Sequence, residues 1–364
     1  MITQFHLQDF KAHRDTRLAL KQLTLLVGDN ASGKTSVLQA LHLHMAAARN
    51  PQVELGRRLL PGELCRRGAA KKFTLAATNR VNTHSFELEL AIQQADEPGW
   101  MAFFKGRGPQ GAFQASAFVR AGRQGASLDK TADWDAVRAA TSTVALYRFE
   151  PEKIAAGAYS DRPNTPVKPD GSQTATALAA LKLGNDEAFG RIEAAMCELI
   201  PSLKRIRIKP VNVIRPIQKD SVVGNKIYFD FRSSPGVPAH HASYGTLILL
   251  ALLTVLHGRE RRPSLILLDD FEHALHPRAQ MELIRMMRRL LELKGFRETQ
   301  VIATTHSPYM LDELPPENVI AFALRDDGTV ASKPLIEHPD APKVKDALKS
   351  GELWSLDPER AWVL

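Results

Sequence analysis

The sequence predicts an α/β chain: a mixed β-sheet core with parallel strands, an antiparallel sheet towards the N-terminus, and a helical insertion lobe. Three observations predict it. The apolar run Leu23 to Val27 leads through a glycine-containing loop into the helical pattern Ser36 to Ala48. Phe73 to Ala77 and His84 to Ile92 alternate apolar with polar residues, the pattern of strands with one face in water. From Ser243 onward the pattern runs helix, strand, helix, strand, which calls for crossover helices over a parallel sheet.

Taken in order, the first 48 residues read as strand, turn, strand, loop and helix. Residues 49 to 72 contain Pro51, Gly56, Pro61, Gly62 and Gly68 and read as an irregular connection, made basic by Arg57-Arg58, Arg66-Arg67 and Lys71-Lys72. Residues 106 to 126, rich in Gly, Gln, Ala and Arg with no clear period, read as a flexible loop or excursion. Thr143 to Phe149 is a further strand, followed by the turn-rich break Pro163 to Pro166 and Pro169-Asp170-Gly171. Ser172 to Leu181 and Glu187 to Leu199 have helical spacing, and Ile206 to Val213 and Lys226 to Phe231 return to strand. Lys204, Arg205, Arg207 and Lys209 alternate with Ile206 and Ile208, which reads as a polar strand face more than a groove binder. Leu247 to Leu256 falls short of the roughly 20 residues a bilayer span needs and is closed by Arg259 to Arg262, so it reads as a buried helix.

With 364 residues and 44% hydrophobic content the chain can bury a sizeable core. The N-terminus alternates like a strand and has no charged leader before an apolar segment, so no export signal is expected. Cys65 and Cys197 have neither metal-like spacing nor the density of a disulfide framework, so the cytoplasm is the expected compartment. A formal charge of +8 favours a polyanionic partner such as DNA, or else a solvated basic loop.

Chemistry enters at Gly28-Asp29-Asn30-Ala31-Ser32-Gly33-Lys34-Thr35, a G-x-x-x-x-G-K-[ST] loop between a strand and a helix. In that setting backbone N–H groups turn inward around phosphates, Lys34 places a cation on the outer phosphates, and Thr35 offers a hydroxyl to Mg²⁺. Ser264 to Asp270 is a buried strand ending in two acids, and Asp269, beside such a loop, is the candidate Mg²⁺ ligand. Ser243-Tyr244-Gly245-Thr246 opens the apolar helix, with Ser243 as its N-cap; a helix N-terminus of this kind is also an anion site. Val301 to Thr305 is another buried strand, ended by His306-Ser307-Pro308, where His306 reads as a polar sensor near the γ-phosphate.

Phosphate loop, S-x-G helix, apolar strand with paired acids, then strand and histidine follow one another as in an ABC-type ATPase. The chain resembles the stand-alone ABC ATPases related to RecF, SMC and overcoming-lysogenization-defect (OLD) proteins. Asp9-Phe10-Lys11-Ala12-His13 is similar to that family's N-terminal pattern, and Asp170-Gly171-Ser172 and Leu275-His276-Pro277 resemble its shorter members. The resemblance implies an ABC-type P-loop fold with an N-terminal ATPase lobe (1–150), an insertion (151–240) and a C-terminal ATPase lobe (241–364). It further implies that Lys11 and Gly28, Asn30, Ser32, Gly33, Lys34, Thr35 and Ser36 bind ATP, and that Thr35 and Asp269 hold Mg²⁺. Ser243 and Gly245 would contact the γ-phosphate of ATP held by a second copy, in a homodimer or higher oligomer. Asp270, Glu272 and His306 would be the catalytic residues.

The chain departs from that pattern in three places. Asp269-Asp270 replaces the usual Asp-Glu, so hydrolysis is expected to be slow or carried by Glu272. Tyr244 replaces a small residue, and no Q-loop glutamine stands out; the stretch Tyr147 to Glu150 is the place to look. Asp269, Asp270, Glu272, His273 and His276 also suggest a transition-metal hydrolase, a reading the phosphate loop makes unnecessary. His42 and His44 point to different helix faces and form no ligand pair. The absence of a heptad repeat excludes an SMC motor, and the 58 residues after His306 are too few for the OLD nuclease domain. The expected function is an ATP-gated switch in DNA maintenance or in defence against phage and foreign DNA, with a separately encoded effector and no membrane partner. The alternatives are a transporter's nucleotide-binding subunit and a non-hydrolysing scaffold. The 209 residues between Lys34 and Ser243 exceed what a compact transporter subunit uses.

Overall fold

The computed structural model describes residues 1–49, 61–68, 71–81, 84–94, 99–109, 111–120, 123–128, 144–162, 165–215, 219–258, 264–272, 275–292, 296–344 and 347–364. Arg57-Arg58, Arg259 to Arg262 and His273, singled out above, lie outside these residues. The chain forms two compact units: Met1–Leu146 with Ser264–Asp269 and Arg288–Leu364, and Tyr147–Pro263 with Asp270–Met287.

The first unit opens with β1 (Ile2–Phe10), β2 (His13–Ala19) and β3 (Leu23–Gly28), then α1 (Lys34–Arg49) and the short α2 (Pro61–Leu64). There follow β4 (Lys72–Val81), β5 (His84–Gln94), β6 (Gly99–Gly108), β7 (Gly111–Arg120), β8 (Arg123–Leu128) and β9 (Val144–Tyr147). Seven of these strands make an antiparallel sheet in the order β2-β1-β4-β5-β6-β7-β8. Its alternation is legible in β5, where Phe86, Leu88, Leu90 and Ile92 are buried while Glu87 and Glu89 are exposed. The reading of residues 106 to 126 as a loop is corrected: β6, β7 and β8 run through that segment.

The second unit holds α3 (Pro151–Ala155), α4 (Thr174–Gly184), α5 (Asp186–Leu199), β10 (Leu203–Ile214), β11 (Ser221–Phe231), β12 (Val237–Pro238) and α6 (Tyr244–His257). The three strands form one antiparallel sheet in the order β10-β11-β12. Every residue of α6 from Gly245 to Leu256 is buried, as its almost wholly apolar sequence requires, and Thr254 satisfies its hydroxyl on the Leu250 carbonyl at 2.6 Å. Among the described residues no helix is long and apolar enough to cross a membrane.

Returning to the first unit, the chain adds β13 (Leu265–Leu268), then, after α7 (Pro277–Glu292), β14 (Gln300–Thr304), α8 (Pro308–Leu311), β15 (Val319–Leu324) and β16 (Val330–Pro334). The order β16-β15-β3-β14-β13-β9 makes a mixed sheet in which β15, β3, β14 and β13 are parallel and β16 is antiparallel. All six residues of β3 are buried, because a central parallel strand is covered on both faces. Helix α1 packs against β1 and β4 of one sheet and β3, β13 and β14 of the other, so Val37, Leu38, Leu41, Leu43, Met45 and even His44 are buried. Burial of each large apolar side chain contributes about 1.5–3 kcal/mol.

Two histidines are embedded in this layer. His44 stands edge-on to Phe5, with ring centroids 5.7 Å apart, and burial lowers its pKa to about 4. His13 is likewise held at about 4 by burial, its hydrogen bond to Gly33 working the other way. Both are neutral in the folded state, whereas an unfolded imidazole takes up a proton below its ordinary pKa of 6.5. Their contribution is therefore full above pH 6.5 and is lost as pH falls towards 4, by about 1 kcal/mol per pH unit for each. Urea unfolding followed between pH 7.5 and 4.5 is expected to show this loss, and His44→Leu to reduce its slope by about half. An unchanged slope in that variant would remove His44 from the account.

Candidate functional site

The site is built where β3 ends. Gly28 has φ 137°, and a Cβ there would stand 2.3 Å from the carbonyl oxygen of Phe322, its register partner on β15. Only glycine lets the chain turn away from the sheet this close to a neighbouring strand. Asp29, Asn30 and Ala31 are exposed at the loop tip, Ser32 is buried, and Gly33 (φ 97°) passes between Val330 and His13. Lys34, the first residue of α1, is buried and donates from Nζ to the carbonyl oxygens of Gly28 and Asp29, both at 2.8 Å. Thr35 and Ser36 follow on the first turn, half-buried. A positive side chain and a helix N-terminus thus meet at this loop, the combination that binds anions.

Asp269 reaches the same place from the adjoining strands. It follows β13 directly, and its Oδ1 accepts from Thr35 Oγ1 at 2.9 Å and from Thr304 Oγ1, at the end of β14, at 2.8 Å. The parallel pairing of β13, β14 and β3 brings three chain-distant residues to one edge of the sheet. A hydroxyl and a buried carboxylate are hard oxygen donors, the set Mg²⁺ takes when it keeps several waters and bridges to phosphate. Thr35 and Asp269 therefore fit the ion that a nucleotide triphosphate carries, which would neutralise phosphate charge there.

The loop is buttressed from below by the N-terminal hairpin. His13 Nε2 lies 3.2 Å from the carbonyl oxygen of Gly33 and its Nδ1 lies 3.0 Å from Thr16 Oγ1. Lys11 donates to Gln39 Oε1 on α1, and burial, opposed by Glu63, lowers its pKa. Asp9 and Lys11 both have positive φ, at 53° and 51°. That bend is pinned by Arg66, whose Nε is 2.7 Å from Asp9 Oδ1, and by the Lys11 N–H on Leu64 O at 2.7 Å. Lys11 and His13 thus grip the phosphate-loop helix, and His13 and Thr304 are support residues that motif spacing alone does not assign.

Of the remaining sequence candidates, His306 is exposed and follows β14 by two residues. Asp270 is half-buried with φ 47°, and Glu272 is half-buried. Ser243 and Gly245 belong to the second unit. Ser243 caps α6, its Oγ accepting from the Thr246 N–H at 3.2 Å. Tyr244 is 48% exposed and donates its hydroxyl to Glu152 Oε1 at 2.5 Å, which pulls the Glu152 carboxyl below its ordinary pKa and pushes the phenol up. After Tyr147 the chain runs beside the Asp170 turn: Arg148 and Glu150 N–H donate to Pro169 and Asp170 carbonyls, and Asp170 Oδ1 accepts from Ser172 N and Oγ at 3.0 and 2.7 Å.

Residues 1–94, which hold the phosphate loop, match an AAA ATPase domain. Residues 158–312, which hold Ser243, Asp269, Asp270 and His306, match the family described as "AAA domain, putative AbiEii toxin, Type IV TA system". The fold is similar to the crystal structure of an Smc head bound to the C-winged helix domain of ScpA: TM-score 0.58 at 14% identity, over 94% of this chain and 99% of that one. Two stretches of the chain thus match AAA ATPase domains, on a fold like that of an SMC head. A stretch of 72 residues is also 34% identical to the Septu protein PtuA of Bacillus thuringiensis. That match spans 20% of this chain and 17% of PtuA.

Proposed function

We propose that this chain is a Mg²⁺-dependent ATPase whose protomers close head to tail on ATP, forming a switch in defence against phage and foreign DNA or in DNA maintenance and repair. It acts in the cytoplasm with a separately encoded effector. The observation that carries the reading is the meeting of Thr35, Asp269 and Thr304 at the mouth of a loop whose lysine is already turned inward. The toxin–antitoxin family description and the partial likeness to the Septu protein support a defensive role.

In this reading the loop amides and Lys34 bind the phosphates, Thr35 and Asp269 hold the ion, and Thr304 keeps the Asp269 carboxylate oriented. Ser243 and Gly245, at the N-terminus of a rigid buried helix, receive the γ-phosphate of the other protomer's ATP. Asp270 or Glu272 orients the attacking water, and His306, exposed at its strand end, senses the γ-phosphate. Asp270 is one methylene shorter than glutamate, so slow turnover is expected.

Light-scattering mass measured with Mg²⁺ and ATP tests the reading. The wild-type mass is expected to double, while Ser243→Arg keeps the monomer mass yet binds nucleotide as tightly. A wild-type mass indifferent to ATP, or a variant that dimerises equally, would sink the head-to-tail arrangement.

A further inference from the structure

The second unit carries a cationic sheet face for which the site described above has no use. On β10 and β11, Arg205 pairs with Asp230, Arg207 with Tyr228 and Lys209 with Lys226. Alternate residues of a strand share a face, so these six stand together on one side. Ile206, Ile227 and Phe229 are buried on the other. Arg205, Arg207 and Lys209 are exposed, and Lys226 and Tyr228 are half-buried. The single carboxylate among these six, Asp230, is engaged by Arg207 Nε at 2.5 Å and by the Gly236 N–H at 2.8 Å. Four cations against one acid leave a positive excess on this face, and three of the four stand on β10, the edge strand of its sheet.

Two details narrow the partner. Consecutive same-face residues on a strand are about 6.7 Å apart, so Arg205, Arg207 and Lys209 form an evenly spaced row of charges, which suits an extended polyanion. Within that row Lys209 Nζ lies 4.7 Å from the centroid of the Tyr228 ring, placing an aromatic surface among the cations. Cations that track a backbone beside a ring on which a base stacks are the elements of single-strand recognition, whereas an acidic peptide has no need of the ring. We propose that this face binds single-stranded nucleic acid, the cations taking phosphates and Tyr228 stacking a base. The inference deepens the proposed DNA-directed role and rests on that reading for its use in the cell.

Anisotropy of a labelled oligothymidylate, titrated with the full-length protein across a salt series, provides the test. The triple variant Arg205→Gln, Lys209→Gln, Lys226→Gln is expected to bind about 10–100-fold more weakly at low salt. Its slope of log affinity on log salt should fall by about 2, three contacts at roughly 0.7 each. Tyr228→Leu should weaken binding by about fivefold or more while leaving the slope unchanged. The assignment is overturned if the triple variant binds as the wild type does, if the wild type does not bind the strand, or if polyglutamate competes as well as oligothymidylate. ATP-dependent mass, measured on the same triple variant, separates the two proposals. Retained dimerisation with lost strand binding supports this face, and strand binding without any dimerisation in the wild type would remove the switch and leave the face standing.

Discussion

Lys34→Ala is expected to abolish measurable ATP binding, raising Kd by about a hundredfold or more, which is roughly 3 kcal/mol. The structure explains why the loss should be so large. Lys34 Nζ is held by two carbonyl oxygens of the loop itself, Gly28 and Asp29, so the charge is already stationed before a phosphate arrives. Hydrogen bonds to a charged group contribute about 1.5–3 kcal/mol each, and a buried ammonium has few competitors for them. One of these carbonyls, that of Gly28, is buried and the other, that of Asp29, lies at the exposed loop tip, so the variant should keep its fold with a modest loss of stability. Calorimetric titration with Mg²⁺ and ATP, beside a thermal melt, checks both halves. Binding within a few-fold of wild type would show that the loop amides suffice without the cation.

Gly28→Ala should strike the fold as well as the ligand. Its Cβ would lie 2.3 Å from Phe322 O and 3.1 Å from Ser32 Oγ, and the backbone has φ 137°, a region L-residues avoid. The first contact is with a strand of the parallel sheet, so relief requires β15 to move. A loss of about 3 kcal/mol or more is expected. Gly111→Ala is the control, because its φ of 129° is similar but among the described residues nothing lies within 4 Å of the added atom. Chemical unfolding of both variants separates strain from collision. Equal losses would show that backbone conformation alone accounts for the effect.

The phosphate loop and the acid strand were legible in the sequence because each is a local pattern: a glycine spacing between strand and helix, and four apolar residues before Asp269. The N-cap at Ser243 was legible for the same reason. Contacts between chain-distant residues were not. Glu152 and Tyr244 are 92 positions apart, and no local spacing announces their hydrogen bond. Residues 106 to 126 mislead because their composition, rich in Gly, Gln, Ala and Arg, shows no clear period. Gly106 instead leaves room for the Phe113 ring opposite it, whose Cζ would stand 2.1 Å from any Cβ there. An aromatic side chain covering a glycine across two strands is a pairing signal that a one-dimensional reading cannot weigh. His13 was visible as part of a pattern, but its purpose, propping Gly33, depends on a hairpin folding back under the loop.

Asp270 narrows what evolution can write at the end of β13. Its φ of 47° lies in the left-handed region, which glycine, asparagine and aspartate enter readily and longer side chains do not. Within that short alphabet aspartate is the one member that carries a negative charge. Glutamate would be a conformationally reluctant residue at this bend, which aspartate accommodates while keeping the charge. In the proposed mechanism, then, one backbone angle sets how far the acid at this position can reach towards the water it would orient.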